Sequence, residues 1–225
     1  LSRRECSELY ALAEAHHTVL MPAMKTAYAT AYRRLLLLLR SGKIGSVISV
    51  DATCTSLREI DPDGDQIKSV WNSICAWGPT AMLPIFQILG TDYRRAEIAS
   101  YFLDKAHQFD AFTRVSFMYD HAVASLKVGR GVKSEGELVV SGTKGYLYVP
   151  APWWKTDYFE IRFEHREDDR KYFYHLEGEG IRNELVAFVD AIRSGKGRGH
   201  ISQEVAEAVS GVLRQFYEGD TDMIC

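Results

Sequence analysis

The chain has 225 residues, 46% hydrophobic and 25% charged, with a net charge of −3 at neutral pH. A chain this long buries roughly 70% of its unfolded surface and needs no metal or disulfide staple to fold, and its charge balance excludes the basic face of a nucleic-acid binder. The longest apolar run, Leu35–Leu39, falls far short of the ~20 residues a membrane-spanning helix needs, while Cys6, Cys54, Cys75 and Cys225 are too scattered for a zinc site or a secreted framework and point to the cytoplasm.

Ser2 and Glu5 have the spacing of a capping box, in which each side chain satisfies a free backbone N–H. Cys6, Leu9, Tyr10, Ala13 and His17 then recur at helical spacing and predict a helix to about His16. The apolar run from Thr18 to Met21 or Met24 reads as a buried strand. A helix followed at once by a buried strand is one αβ unit of a parallel sheet, and alone it has nothing to pair with. With Leu1 in place of Met at the start, residues 1–24 read as the tail of a domain whose body lies upstream.

"AYATAYRRLLLLLRSGKIG" predicts a second helix, with Gly42 as its left-handed cap. Its five leucines cover more than one face, which predicts burial on several sides, Leu37 included. "WNSICAWGPTAMLPIFQILG", residues 71–90, reads as an apolar helix opened by Gly78-Pro79 and closed by Gly90. From Ser46 the hydrophobic period becomes two. Strands are expected at 46–57, 95–104, 111–120, 122–129, 134–143, 145–150, 157–165 and 171–177, separated by Asp, Gly, Pro and Lys turns. Helices over 180–195 and 202–219, the latter capped by Ser202, close the chain. The expected architecture is α+β: a large, mainly antiparallel open sheet with helices on one face. The other face needs cover, and a second copy, giving a homodimer, is the economical answer.

Few motifs carry chemistry. Asp61–Gln66 resembles a calcium loop, but its sixth and twelfth positions are Gln66 and Asn72 where glycine and a bidentate glutamate are required, so it reads as a solvated turn. The glycine pairs at 129–131, 178–180 and 195–197 lack the strand-G-x-G-x-x-G-helix context of a dinucleotide site. Gly178-Glu179-Gly180 opens a helix, where it reads either as an approach to an anion or, first, as the turn into that helix. The seven histidines show no i, i+4 pair, so no metal site is expected. Lys25 and Tyr28 follow the apolar strand, where an open αβ layer binds ligands. Lys25 reads either as a proton donor or anion clamp, or as a surface lysine at a helix start.

Taken in order, "SRRECSELYALAEAHHTVLM", "YRRLLLLLRSGKIGSVISVDA", "WGPTAMLPIFQILG", "VSGTKGYLYVPAPWW" and "GEGIRNELVAFVDAIRSGK" resemble the second half of the Gfo/Idh/MocA family of NAD(P)-dependent oxidoreductases. "MKTAY" looks like a branch concerned with sugars. The resemblance implies a Rossmann domain that holds NAD or NADP, followed by an α+β domain that closes over a sugar-like substrate. Residues 1–24 would be the last helix and strand of the Rossmann domain, and residues 25–225 the substrate-binding and dimerisation domain. The glycine-rich loop and the lysine of the Glu-Lys-Pro motif would precede Leu1, so these residues alone hold no cofactor site.

The chain departs from the family where chemistry is expected. Pro22 replaces a common glutamate, and Ala27 and Thr30 stand where arginine and proline are usual. In the 71–90 helix Gly78 is kept, while the acidic position is Ala76 and the tyrosine or histidine position is Thr80. Oxidising a sugar alcohol needs a base for the hydroxyl proton, worth about 10²–10⁴-fold, and no Asp, Glu, His, Lys, Arg or Tyr lies between Trp71 and Gly90. The packing residues survive and the acid–base set does not. No catalytic residue is assigned, and Lys25, Tyr28, Trp77 and Thr80 are the candidates for the substrate pocket. Two functions are expected: the C-terminal portion of a sugar oxidoreductase, or a non-catalytic ligand-binding or dimerisation module of the same descent.

Overall fold

The computed structural model describes residues 1–60, 71–175, 178–195, 199–219 and 222–223. The calcium-loop-like segment Asp61–Gln66 and Cys225 lie outside the described residues. Helix α1 (Arg3–Ala15) is opened by the expected capping box: Ser2 Oγ accepts the Glu5 N–H and the Glu5 carboxylate accepts the Ser2 N–H at 2.7 Å. α1 lies along the last helix, α5 (Gln203–Tyr217), where Cys6 is buried. The strand expected from Thr18 does not form. Residues 18–24 have no regular structure, and Thr18 folds back to bond Ala13 O at 2.9 Å. A strand exists only beside a partner backbone, and the sheet runs no strand next to this segment.

A 3₁₀ turn, Lys25–Tyr28, leads into α2 (Thr30–Arg40), which Gly42 follows in the left-handed conformation with φ 74°. One stripe of α2 faces the core: Leu35, Leu36 and Leu39 are buried, but Leu37 is 54% exposed. The leucine run therefore overstates the burial, because at 3.6 residues per turn five consecutive positions must sweep past the solvent side.

α3 (Ser73–Leu89) starts well before its Gly-Pro pair. Asn72 is the cap, its side-chain oxygen accepting the Cys75 N–H at 3.0 Å. Pro79 and Pro84 both lie inside the helix. An interior proline costs about 3 kcal/mol through its lost N–H and ring clash. Burial of Ile74, Met82, Leu83, Ile85 and Phe86 on the underside of the sheet offsets that cost.

The sheet strands are β1 (Val47–Leu57), β2 (Arg95–Asp104), β3 (Phe109–Met118), β4 (Val123–Gly129), β5 (Gly131–Val132), β6 (Leu138–Gly142), β7 (Tyr146–Val149), β8 (Tyr158–Arg162), β9 (Arg170–Phe173) and β10 (Asp222–Met223). Their order is β10-β2-β3-β4-β1-β6-β7-β8-β9, with β5 hooked onto the end of β1. Apart from β1 on β4 and β10 on β2, which are parallel, neighbours are antiparallel. Sequence had not marked β5 or β10, each only two residues long.

Alternation divides the sheet. Val50, Ala52, Cys54, Val115, Phe117, Ala124, Leu126, Val128, Leu138, Val140, Leu147, Phe159 and Ile161 face the helices and are buried. On the other face a polar row crosses four strands in register, Glu97–Ser116–Ser125–Asp51. Asp51 accepts from Ser125 Oγ at 2.5 Å and from Ser49 Oγ at 2.6 Å. Met118 and Val123, paired across β3 and β4, are about half exposed on that face. Between β9 and α5 runs α4 (Ile181–Ser194).

Candidate functional site

The site is built around a 3₁₀ turn, Trp153–Lys155, where β7 hands the chain to β8. Trp153 is buried and donates its indole N–H to Thr53 O of β1 at 3.2 Å, while its backbone N–H bonds Gly136 O at 2.9 Å. The turn is thereby fixed to the sheet, and its next two residues project in set directions. The Trp154 ring meets the Trp77 ring of α3 with centroids 4.9 Å apart. Lys155 Nζ lies 2.8 Å from Glu179 Oε1.

Glu179 is held on an unusual backbone. Gly178, Glu179 and Gly180 have φ of 59°, 56° and 95°. Such values cost a non-glycine residue free energy and are tolerated where surroundings impose them. Gly180 is required on two counts, since a Cβ there would lie 2.1 Å from the Lys25 carbonyl oxygen. The glycine thus seats the start of α4 directly on the Lys25–Tyr28 turn. Asn183 Nδ2 donates to Tyr28 O at 3.1 Å, which ties the same junction. Burial pushes the Glu184 carboxyl up.

In this frame the second Glu179 oxygen forms an ion pair with Lys25 Nζ. The Lys155 and Lys25 ammoniums together hold the Glu179 carboxyl below its ordinary range, so it is ionised at neutral pH. All three side chains are partly exposed, at 37%, 45% and 25% for Lys25, Lys155 and Glu179. Solvent screening therefore keeps the pairs weak as a source of stability.

The four pocket candidates divide. Lys25 joins the ion cluster and Trp77 joins the tryptophan pair; Thr80 is half-buried one helical turn beyond Trp77. The Trp154-Lys155 dipeptide links the two halves. Tyr28 turns inward: it is fully buried, its ring centroid is 4.9 Å from that of His200, and its hydroxyl accepts the His200 N–H at 3.3 Å. Trp154, Lys155 and Glu179 were not among the sequence candidates. The one local signal was a lone acidic residue between two glycines, which is equally the signature of a turn. Ala76 is half-buried, next to Trp77 in the chain.

The described residues do not fit a nicotinamide dinucleotide. Among the described residues, the glycine pair that opens a helix carries the ionised Glu179 between its glycines, and a pyrophosphate placed there would meet that negative charge. Among the described residues no cluster of His, Cys, Asp and Glu could hold a metal ion, and no helix is long and apolar enough to cross a membrane.

No protein-family model and no curated protein sequence matches the chain. Solved structures do. KijD10, a 3-ketoreductase from Actinomadura kijaniata crystallised with NADP and TDP-benzene, superposes with a TM-score of 0.80 at 15% identity, covering 99% of this chain and 69% of that one. An aldose-aldose oxidoreductase from Caulobacter crescentus complexed with glycerol gives a TM-score of 0.77 at 14% identity, covering 97% of this chain and 67% of that one. These are Gfo/Idh/MocA-type oxidoreductases, and the fold of this chain is theirs.

Proposed function

We propose that this chain is the substrate-binding part of an NAD(P)-dependent oxidoreductase of the Gfo/Idh/MocA type, acting on a sugar-like small molecule. Residues 25–225 form the substrate and dimerisation domain, and residues 1–24 are closing elements of a nucleotide-binding domain. The observation that carries the reading is the superposition of nearly the whole chain on KijD10. In support of the division, neither α1 nor residues 18–24 joins the sheet.

The role of the described residues is to hold substrate. Trp77, half-buried against the buried Trp154, offers an apolar surface, Thr80 a hydroxyl, and Lys25 a cation. NAD or NADP would be held by other residues, and no hydride or proton step is assigned to these. A second copy covers the open sheet face, where Tyr101, Met118 and Val123 are exposed around the polar row.

A rival reading has its own observation: the α3 face that meets Trp154 carries Ala76 and Thr80 and no group able to take a proton near neutrality. On that reading the chain is a non-catalytic binding module. Titrating the protein expressed from its complete reading frame with NADPH, and following nicotinamide fluorescence, separates the two. Saturable binding, with oxidation of NADPH when an aldose or keto-sugar is added, supports the oxidoreductase. Sugar binding without any response to NADPH or NADH supports the module.

A further inference from the structure

We infer that α4 is a docking helix, and that its uncovered apolar stripe is the seat of the nucleotide-binding domain of the proposed oxidoreductase. The inference rests on that reading and adds the surface through which the two parts meet.

α4 differs from the other closing helix in how little it packs. It buries one of its 14 residues, Ala191, whereas α5, with 15, buries seven. Yet α4 is not a polar helix. Ile181, Leu185, Val189 and Ile192 recur at helical spacing, which sets them on one face, and all four are between 42% and 59% exposed. With exposed Val186 beside them, they present roughly 400 Å² of largely apolar surface, a size that marks an interaction site on a monomer. Single exposed leucines are ordinary; a stripe along one helix is not.

Its surroundings point to the occupant. Gly180 seats the start of α4 on the Lys25–Tyr28 turn, which directly follows residues 18–24. One groove, lined by Thr30 and Arg33 of α2, Val186 of α4 and His200, meets at His200 a second groove lined by Tyr10 of α1, Leu20 and Met21. A continuous surface therefore leads from the stretch assigned to the nucleotide-binding domain to α4. α1, in that stretch, also buries a single residue, Cys6. The chain covers 69% of KijD10, which leaves about 100 residues of that protein unmatched, one domain's worth.

A second copy suits the stripe less well. Arg182 and Arg193 lie three turns apart on one flank of it. Two identical helices pairing antiparallel would set Arg182 of each against Arg193 of the other, and like charges at such spacing repel. The open sheet face is already the surface assigned to a second copy.

The test uses the protein expressed from its complete reading frame, with the photo-crosslinker p-benzoylphenylalanine placed at Leu185 or at Ile192 and the products mapped by mass spectrometry. Cross-links to residues of the same polypeptide outside 1–225 are expected. Cross-links to a second copy, cross-links confined to residues 1–225, no cross-links, or a reading frame with no further domain overturn the proposal. Melting gives a second measure. Leu185 and Leu37 are alike in exposure, so on an uncovered α4 Leu185→Asp and Leu37→Asp would act alike. With α4 docked, Leu185→Asp should lower the midpoint by at least about 5 °C more than Leu37→Asp; equal shifts overturn the proposal. The cross-linker keeps a large apolar side chain at 185, so that arm holds if the aspartate variant does not fold. Cross-links to a further domain in a protein that ignores NADPH and NADH leave the docking standing and fail the oxidoreductase reading. Oxidation of NADPH with α4 not cross-linked to that domain fails the docking alone.

Discussion

Asp110 Oδ1 accepts the backbone N–H of Ile74 at 3.2 Å inside a site closed to solvent. The carboxylate thus joins Asn72 in satisfying the start of α3, and Thr113 Oγ1 donates to its other oxygen at 2.6 Å. Despite these bonds, burial pushes the Asp110 carboxyl up to about 6. The folded state therefore prefers the protonated acid more than the unfolded chain does. The resulting stabilisation is complete below about pH 4 and is lost as pH rises through about 6. A shift of this size corresponds to about 3 kcal/mol. Asp110→Asn keeps an acceptor for Ile74 and a donor for Thr113 and cannot ionise. Relative to wild type its stability should rise steadily between pH 4 and pH 7, measured by urea unfolding at several pH values; a constant difference would show that Asp110 does not titrate there.

Leu35 and Leu37 are two residues apart and should respond oppositely. Leu35 is 1% exposed and Leu37 is 54% exposed. Leu35→Ala should cost about 2–5 kcal/mol, whereas Leu37→Ala and Leu37→Asp should stay within about 0.5 kcal/mol of wild type. Chemical denaturation of the variants measures this, and a large loss at Leu37 would place a partner surface over α2.

Gly178 and Gly180 both have positive φ but differ in surroundings. Alanine at Gly178 faces open space and pays only the backbone cost, about 1 kcal/mol. Alanine at Gly180 adds a collision with the Lys25 carbonyl, so its destabilisation should be larger by at least about 1 kcal/mol. Thermal melts of the two variants compare them directly.

The open sheet face gives an expectation about assembly. Met118→Glu sets a carboxylate between Arg95 and Val123, its cross-strand partners, next to the polar row. If a second copy covers this face, sedimentation should show a wild-type dimer and a dissociated variant with an unchanged melting profile at low concentration. A wild-type monomer at micromolar concentration would rule out the pairing.

The strands were legible because burial on one face writes a period of two into the sequence. β2 was expected at 95–104 and is found at Arg95–Asp104; β1 differs from its expected range by one residue. Helix ends with capping side chains, at Ser2 and Ser202, were equally plain. Errors arose where a local signal had two meanings. Gly78-Pro79 reads as a helix start and is the interior of one, because packing of the following apolar residues outweighs proline's cost. The apolar segment from Thr18 has strand composition but no strand beside it.

The candidate site was half visible. Lys25, Trp77 and Thr80 could be singled out because each lies within a recognisable stretch. Their grouping could not, since it depends on Lys155 and Glu179, which are 24 residues apart and far from Lys25.

Sequence by itself determined the kind of fold, the helix caps and the absence of acid–base residues from 71–90, all consequences of periodicity or residue type that act over a few positions. Only the tertiary structure decided that Leu37 faces solvent, that Tyr28 turns inward to His200, and that two lysines share one glutamate. Those outcomes depend on which surfaces meet, and distant parts of the chain meet according to the packing of the whole sheet, which no short stretch records.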